Sequence, residues 1–302
     1  MQDSTTFSSL ENRTGAKPRG WLHPSAIVSG AAGGRVIGLL KRAVVRRLYN
    51  HLARAYPISD WTCMNYGYAA LPSEAWTGPS DGDNDEQRGL DLYWRIATSG
   101  PRGAALEGLD LLEIGSGRGG GAAFIARALA PHHLTGVDFA ATSVALANEH
   151  YGSQSNLSFA QGDAEALTLP DAAFDVVLNI ESAHCYASVP RFLGEASRVL
   201  RPGGALLFAG FASRTGGAYD RLVAALEGCP LEFVRIDDIT PNILASLRMD
   251  EDRKQALIAK TLGPWMKSFA TGAYAMEGTA MRTALEVGET AYLAAVLFKP
   301  NG

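Results

Sequence analysis

Cysteine is scarce in this chain and poorly placed for structural chemistry. The three thiols, Cys63, Cys185 and Cys229, are odd in number, far apart and include no C-x-x-C pair. That pattern excludes a disulfide framework and a thiolate zinc site, and it suits a reducing compartment, so a cytoplasmic protein is expected. An excess of basic charge is also lacking. Lys and Arg number 27 against 31 Asp and Glu, a net charge of −4, whereas phosphate backbones are bound by basic surfaces; no nucleic-acid partner is expected. Long hydrophobic runs are missing. The stretch from Ala26 to Leu40 is short and broken by four glycines and Arg35, which argues against stable membrane insertion, and the polar opening residues do not read as a secretory leader. No His, Asp and Glu share metal-ligand spacing, so no metal is expected, and His132-His133 reads as a loop after a helix. No internal repeat or low-complexity tract is visible.

What is present is an ordinary globular balance, with 47% apolar and 19% charged residues in 302, enough for a substantial core. Residues 1–104 read as an N-terminal arm with a helical and aromatic cap, and residues 105–302 as a catalytic core. In the arm, Arg35 to Arg54 has helical periodicity: Ile37, Leu40, Val44, Leu48 and Leu52 form one stripe, and Lys41, Arg42, Arg46 and Arg47 the other face. The stripe must be covered, which predicts docking on a neighbouring subunit and hence a homo-oligomer. An aromatic segment (WTCMNYGY, Trp61 to Tyr68), a Gly/Ser/Asp-rich loop at 77–88 and a short helix at about 87–98 lead into the core.

From Leu109 the pattern alternates between strands and helices, the mark of a parallel sheet. Strands are expected at 109–114, 133–138, 156–160, 173–179 and 204–210, and helices at 119–130, 141–151 and 190–200. Residues 213–228 and 241–285 look mainly helical around a strand near 231–236, and Ala291 to Phe298 ends the chain as an apolar strand. A helical lid insert is expected at about 212–285.

One segment carries the strongest chemical signal. An apolar strand, Leu111-Leu112-Glu113-Ile114, runs into Gly115-Ser116-Gly117-Arg118-Gly119-Gly120-Gly121, a glycine turn of the kind that lets backbone approach a ligand. Gly115, Gly117 and Gly120 also satisfy the dinucleotide G-x-G-x-x-G, which leaves an NAD-dependent oxidoreductase as a rival. Three acids favour S-adenosylmethionine (SAM). Glu113 precedes the first glycine and suits a cationic amino group better than a pyrophosphate. Asp138 ends the second strand, with Phe139 next to it, placed for two ribose hydroxyls. Asp163 and Ala164 follow the third strand, placed for an adenine amino group. Each acid singly could be a helix cap.

With these residues the chain resembles the class I SAM-dependent methyltransferases from about Leu109 to Gly210, and the terminal strand also fits. The resemblance implies an α/β, Rossmann-like seven-stranded sheet whose last strand is inserted antiparallel. It also implies that Glu113, Gly115, Gly117, Gly119, Asp138, Phe139, Asp163, Ala164 and Asn179 hold SAM, with S-adenosylhomocysteine as the product.

After the fourth strand comes NIESAHCY, Asn179 to Tyr186. Ligands bind beyond the carboxyl ends of such strands, so Glu181 and His184 are the candidate catalytic bases; a shielded Glu titrates near neutrality. Together with MNYGY and GRGGGAAFIA, this segment resembles the mycobacterial phthiotriolone O-methyltransferases, while N-x-E-S is similar to the prenyl-diphosphate C-methyltransferases and MNYGY to sterol C-methyltransferases. In the C-methyltransferases the acid matching Glu181 receives the proton lost after an alkene is methylated. Methylating an alkene creates a cation that aromatic faces stabilise, and Tyr66, Tyr68, Tyr186, Trp61, Trp265 and Tyr274 are candidates to line the acceptor pocket. The expected acceptor is a neutral, hydrophobic small molecule of specialised metabolism, a prenylated or terpenoid compound first (a teleocidin-type prenyl-indole is one specific case), a lipid or polyketide alcohol second. A SAM-fold cyclase without methyl transfer is the third reading.

Overall fold

A computed structural model describes residues 62–79, 86–261 and 263–301; the basic helix expected at Arg35 to Arg54 and Trp61 lie outside the described residues. A helix, α1 (Gln87–Ala97), leads into β1 (Asp110–Ile114), α2 (Gly120–Ala128), β2 (His133–Asp138), α3 (Ala141–Tyr151), β3 (Leu157–Gln161) and β4 (Phe174–Ile180). After a 3-10 turn at Ala183–Cys185 come α4 (Val189–Val199), β5 (Leu200–Ser213), α5 (Ala218–Glu227) and β6 (Glu232–Asp238). The helices α6 (Thr240–Met249), α7 (Glu251–Thr261), α8 (Pro264–Ala273) and α9 (Ala280–Glu286) precede the final strand β7 (Thr290–Phe298).

The seven strands form one sheet in the order β3-β2-β1-β4-β5-β7-β6. β1 to β5 run parallel, and β7 enters antiparallel between β5 and β6. This is the Rossmann-like class I methyltransferase sheet.

Alternation along each strand builds two cores. Leu111 and Leu178 point into a cluster with α1, α2, α3, α6 and α9, while Leu112, Ile114 and Val177 point into one with α4 and α5. Strands covered on both faces must be apolar on both, which is why β1, β4 and β7 read as nearly continuous hydrophobic runs.

Two features differ from the expected layout. β5 starts at Leu200 rather than 204, because Phe174 pairs with Leu200 before the register shifts. The stretch expected as an insert from about 212 to 285 divides at Thr240: α5 packs on the sheet and β6 forms its edge, while the helices from α6 onward follow, of which α6 and α9 also pack on the sheet. These helices hold the segment before α1. The Asn242 Nδ2 donates to the Ala69 carbonyl at 3.1 Å, and Ser246 Oγ donates to the Tyr66 carbonyl at 3.1 Å.

Candidate active site

The cleft lies beyond the carboxyl ends of β1, β2, β3 and β4, where a doubly wound sheet binds ligands. It encloses about 1010 Å³ out to its open mouth. Its floor is the glycine turn. Gly115 has φ +85°, and a Cβ there would overlap the Ser182 side chain; only glycine lets the two turns pass this closely. The same economy of space holds at Gly121, where a Cβ would enter the Tyr93 ring.

Asp138 ends β2 and lines the cleft. One oxygen accepts from the Gly117 N–H at 2.9 Å and the other from the Ala140 N–H at 2.8 Å. Each carboxylate oxygen keeps a further lone pair, so the group can take hydroxyl donors while tying the two loops together. Burial raises its pKa, and the two N–H donors oppose the rise. Phe139, Asp163 and Ala164 line the cleft beside it; Asp163 Oδ1 accepts from the Glu165 N–H at 3.0 Å.

Glu113 sits differently. It is fully buried and does not line the cleft; the Tyr93 hydroxyl donates to its Oε1 at 2.7 Å, and its Oε2 finds no partner among the described residues. Burial pushes its pKa up to about 7, with the Tyr93 bond opposing and Asp138 adding to the rise. Asn179 is also fully buried: its Nδ2 lies 2.8 Å from the Ile114 carbonyl, Ser182 Oγ and Tyr186 OH. It braces the turn after β4 against the end of β1. Gly115 and Gly117 line the cleft, whereas Gly119 serves as the left-handed N-cap of α2.

Glu181 lines the cleft with a backbone φ of +52°. A non-glycine residue in that region costs free energy and is found where the surroundings impose it, often at functional sites. Its Oε2 accepts from the Tyr66 N–H at 2.8 Å and from the Tyr292 hydroxyl at 3.2 Å. Among the described residues nothing donates to Oε1. Burial pushes the carboxyl up to about 8, opposed by the Tyr66 N–H, the Lys254 charge and the Tyr292 hydroxyl.

The other candidates divide. Ser182, Cys185 and Tyr186 face the cleft, but the His184 ring stacks on Phe211 with centroids 4.6 Å apart and is not part of the lining. Tyr66 reaches Glu181 through its backbone; its ring is buried and stacked on Phe211 at 5.5 Å. Tyr68 stacks on Trp76 and donates to Glu74 at 2.9 Å, away from the lining. Tyr274 is buried beneath Lys254 at 5.4 Å. Of the tyrosines expected in the pocket, Tyr186 lines it. Trp265 lies in α8, and its side chain is outside the described residues.

Sequence reasoning passed over several lining residues. Thr62, Met64 and Asn65 form part of the wall because Glu86 accepts from the Thr62 N–H at 2.8 Å and the Cys63 N–H at 2.9 Å. Tyr93 and Arg118 also line it. Arg118 stood inside the glycine motif, and a lone charge in that turn was the available signal.

The residues fit a SAM cofactor: a bare glycine turn, an acid with spare acceptor capacity at β2, and a second acid at β3. Among the described residues no group of three His, Cys, Asp or Glu could hold a metal, and no helix is long and apolar enough to cross a membrane.

The methyltransferase domain family profile matches residues 112–208. The phthiotriol/phenolphthiotriol dimycocerosates methyltransferase of Mycobacterium leprae (strain TN) is 32% identical over 233 residues, 77% of this chain and 82% of that protein. The [4+2]-cyclase SpnF superposes with a TM-score of 0.67 at 21% identity, covering 86% of this chain and 97% of its own. Geranyl diphosphate C-methyltransferase from Streptomyces coelicolor A3(2), solved with Mg2+, geranyl diphosphate and S-adenosyl-L-homocysteine, gives 0.61 at 16% identity, covering 86% and 97%. At these identities the two structures speak for the fold.

Proposed function

The chain belongs to the SAM-dependent methyltransferases, and from that premise we propose that it methylates a carbon of a hydrophobic prenyl or terpenoid acceptor in specialised metabolism, with Glu181 as the base. One observation carries the reading: Glu181 presents a shielded carboxyl at the cleft, pushed up by burial to about 8, whereas the His184 ring is stacked on Phe211. When bound, the cofactor supplies an electrophilic methyl group. Methylating an alkene carbon leaves a cation on the acceptor, and a double bond returns when a neighbouring carbon loses its proton. Glu181 Oε1 is the acceptor for that proton, and its carboxylate stabilises the positive charge beforehand. Ring closure is the other fate of such a cation, so cyclisation coupled to methyl transfer belongs to the same reading. The site assignments follow: Gly115, Gly117, Asp138, Phe139, Asp163 and Ala164 hold the cofactor, and Tyr186 lines the acceptor side.

A second reading is supported by the M. leprae relative, which is named for phthiotriol and phenolphthiotriol dimycocerosates. A lipid or polyketide alcohol would ask for one proton acceptor, and Glu181 could serve there too. Incubating the protein with methyl-labelled SAM and matched pairs of prenylated alkenes and lipid alcohols, then locating the label in the product by mass spectrometry and NMR, separates the two. Label on carbon supports the first reading; label only on oxygen overturns it.

A further inference from the structure

The insert reaches toward Glu181 along one helical face. Asn242, Ser246, Asp250 and Lys254 recur at every fourth position. The Asp250 N–H donates to the Ser246 carbonyl and the Lys254 N–H to the Asp250 carbonyl, both at 3.0 Å, so α6 runs into α7 with that spacing kept. Residues spaced this way share a face. All four are polar, and all four are buried, Lys254 with 3% of its surface exposed. Burying polar groups costs free energy unless each finds a partner, so such a stripe must meet something. Asn242 and Ser246 meet the wall before α1, at the Ala69 and Tyr66 carbonyls, and the Tyr66 N–H continues to Glu181 Oε2.

The second half of the stripe is ionic. Arg253 donates to both Asp250 oxygens, from Nε to Oδ1 at 2.5 Å and from Nη2 to Oδ2 at 2.7 Å, the paired match of guanidinium and carboxylate. Lys254 Nζ stands 3.3 Å from the same Oδ2 and 5.4 Å from the centre of the Tyr274 ring. Two cations thus share the Asp250 carboxylate, and a buried ammonium needs compensating charge. Glu86 also faces Arg253, and Glu181 faces Lys254. Burial lowers the Lys254 pKa; Asp250 opposes the fall, Arg253 adds to it, and Glu181 opposes it. The relation is mutual. Of the groups that hold down the burial-driven rise at Glu181, the Tyr66 N–H, the Lys254 ammonium and the Tyr292 hydroxyl, the ammonium is the one that carries charge.

We propose that Lys254 is a positioning residue for Glu181, its ammonium brought by the insert behind the Tyr66 wall so that the base can exist as a carboxylate in a buried cleft. The inference rests on the reading of Glu181 as the base. It gives the insert a part in the chemistry: the helices that hold the wall by Asn242 and Ser246 also set the charge state of the group behind it.

The test follows the Glu181 proton directly. Infrared spectra of the full-length protein are recorded across pH, and the protonated-carboxyl band that disappears in Glu181→Gln is titrated. Its wild-type midpoint should lie near about 8. Removing a nearby positive charge disfavours the carboxylate, so in Lys254→Met the midpoint should rise by about one pH unit, a tenfold tighter hold on the proton. Lys254→Arg should stay within about twofold of the wild-type proton affinity, and the acidic limb of kcat should move with the band. Lys254→Gln, which keeps a donor toward Asp250, replaces Lys254→Met if that variant does not fold. A purely structural lysine would lower the melting temperature and leave the midpoint in place, and that result overturns the proposal. Turnover tests the premise separately. A Glu181→Gln variant that loses the band yet keeps its rate counts against Glu181 as the base, whereas the shift in Lys254→Met still establishes the electrostatic link.

Discussion

The backbone N–H of Tyr66 donates to the Glu181 carboxylate at 2.8 Å, a bond between segments 115 positions apart in the chain. It ties the wall that precedes α1 to the residue that follows β4. Ser246 of α6 grips the same wall at the Tyr66 carbonyl, so one residue couples the insert to the proposed base. Glu181→Gln keeps the shape and removes the basicity. Turnover on the true acceptor should fall by roughly 10²-fold or more, the scale of a lost general base, or the product should change, while S-adenosylhomocysteine affinity measured by calorimetry stays within a few-fold. A variant running at near wild-type rate would show that this carboxyl is only pocket wall.

His184 should matter less. Its ring packs flat on Phe211, so His184→Ala removes packing and orientation. The expected loss in kcat is under about tenfold, well below that of Glu181→Gln. The reverse order, with His184→Ala the more damaging, would favour oxygen methylation through the imidazole.

A carboxyl raised from 4.5 to about 8 makes stability depend on pH with a definite sign. Between these values the folded protein keeps a proton that the unfolded chain has released, so this contribution is full below about 4.5 and is lost as pH rises through about 8. Glu113, raised to about 7, acts in the same direction. In Glu181→Gln the fall should be shallower. The variant should gain on the wild type as pH rises from 5 to 8.5, by on the order of 1–3 kcal/mol, read from denaturant midpoints across that range. A parallel pair of curves would contradict a shielded Glu181. Kinetics carry a second signature: a positive charge beside the carboxylate lowers its pKa, so the acidic limb of kcat should lie below about 8 and vanish in the variant.

The succession of strands and helices along the chain was readable because each step repeats one physical rule, an apolar run such as Leu111 to Ile114, a turn, then a helix, whereas the antiparallel entry of the last strand came from the family resemblance. The acids at Asp138 and Asp163 were readable because they end such runs. Glu113 shows the limit. Its position in the motif was clear, but whether it faces the cleft or Tyr93 depends on α1, which is brought over β1 from a segment with no motif of its own. The tyrosines show a similar limit. Composition marks an aromatic as fit for a pocket and equally for a core, and Tyr66, Tyr68 and Tyr274 found partners in Phe211, Trp76 and Lys254. The division of the insert at Thr240 depended on β6 pairing with β7, a contact across the sheet that local periodicity does not record.

Asp138 tests the cofactor assignment with little risk to the fold. It accepts N–H bonds from Gly117 and Ala140 while keeping acceptor capacity toward the cleft. Asp138→Asn preserves the volume and one carbonyl acceptor but replaces the second oxygen with a donor. That donor would face either a backbone N–H or a ligand hydroxyl, and leaving such groups unpaired costs about 1–3 kcal/mol. S-adenosylhomocysteine should bind about tenfold or more weakly by calorimetry, with the melting temperature of the free protein lowered by no more than a few degrees. Unchanged affinity would remove Asp138 from the site.

Gly121 probes how the cleft is assembled. A Cβ at this position would enter the Tyr93 ring, and Tyr93 is the residue whose hydroxyl engages Glu113. Gly121→Ala should therefore force α1 away from α2. Overpacking of this kind costs about 1–3 kcal/mol, and here it also lengthens the bond to a buried carboxyl whose other oxygen has no partner among the described residues. Because the Tyr93 bond lowers the Glu113 pKa, its loss should push that carboxyl above about 7 and make stability fall more steeply with rising pH. Tyr93→Phe isolates the second effect: it deletes the hydroxyl without crowding, so it should show the steeper pH dependence but not the overpacking. If Gly121→Ala is destabilised equally at pH 5 and pH 8 while Tyr93→Phe is unaffected at both, the Tyr93–Glu113 bond has no part in holding the floor of the cleft.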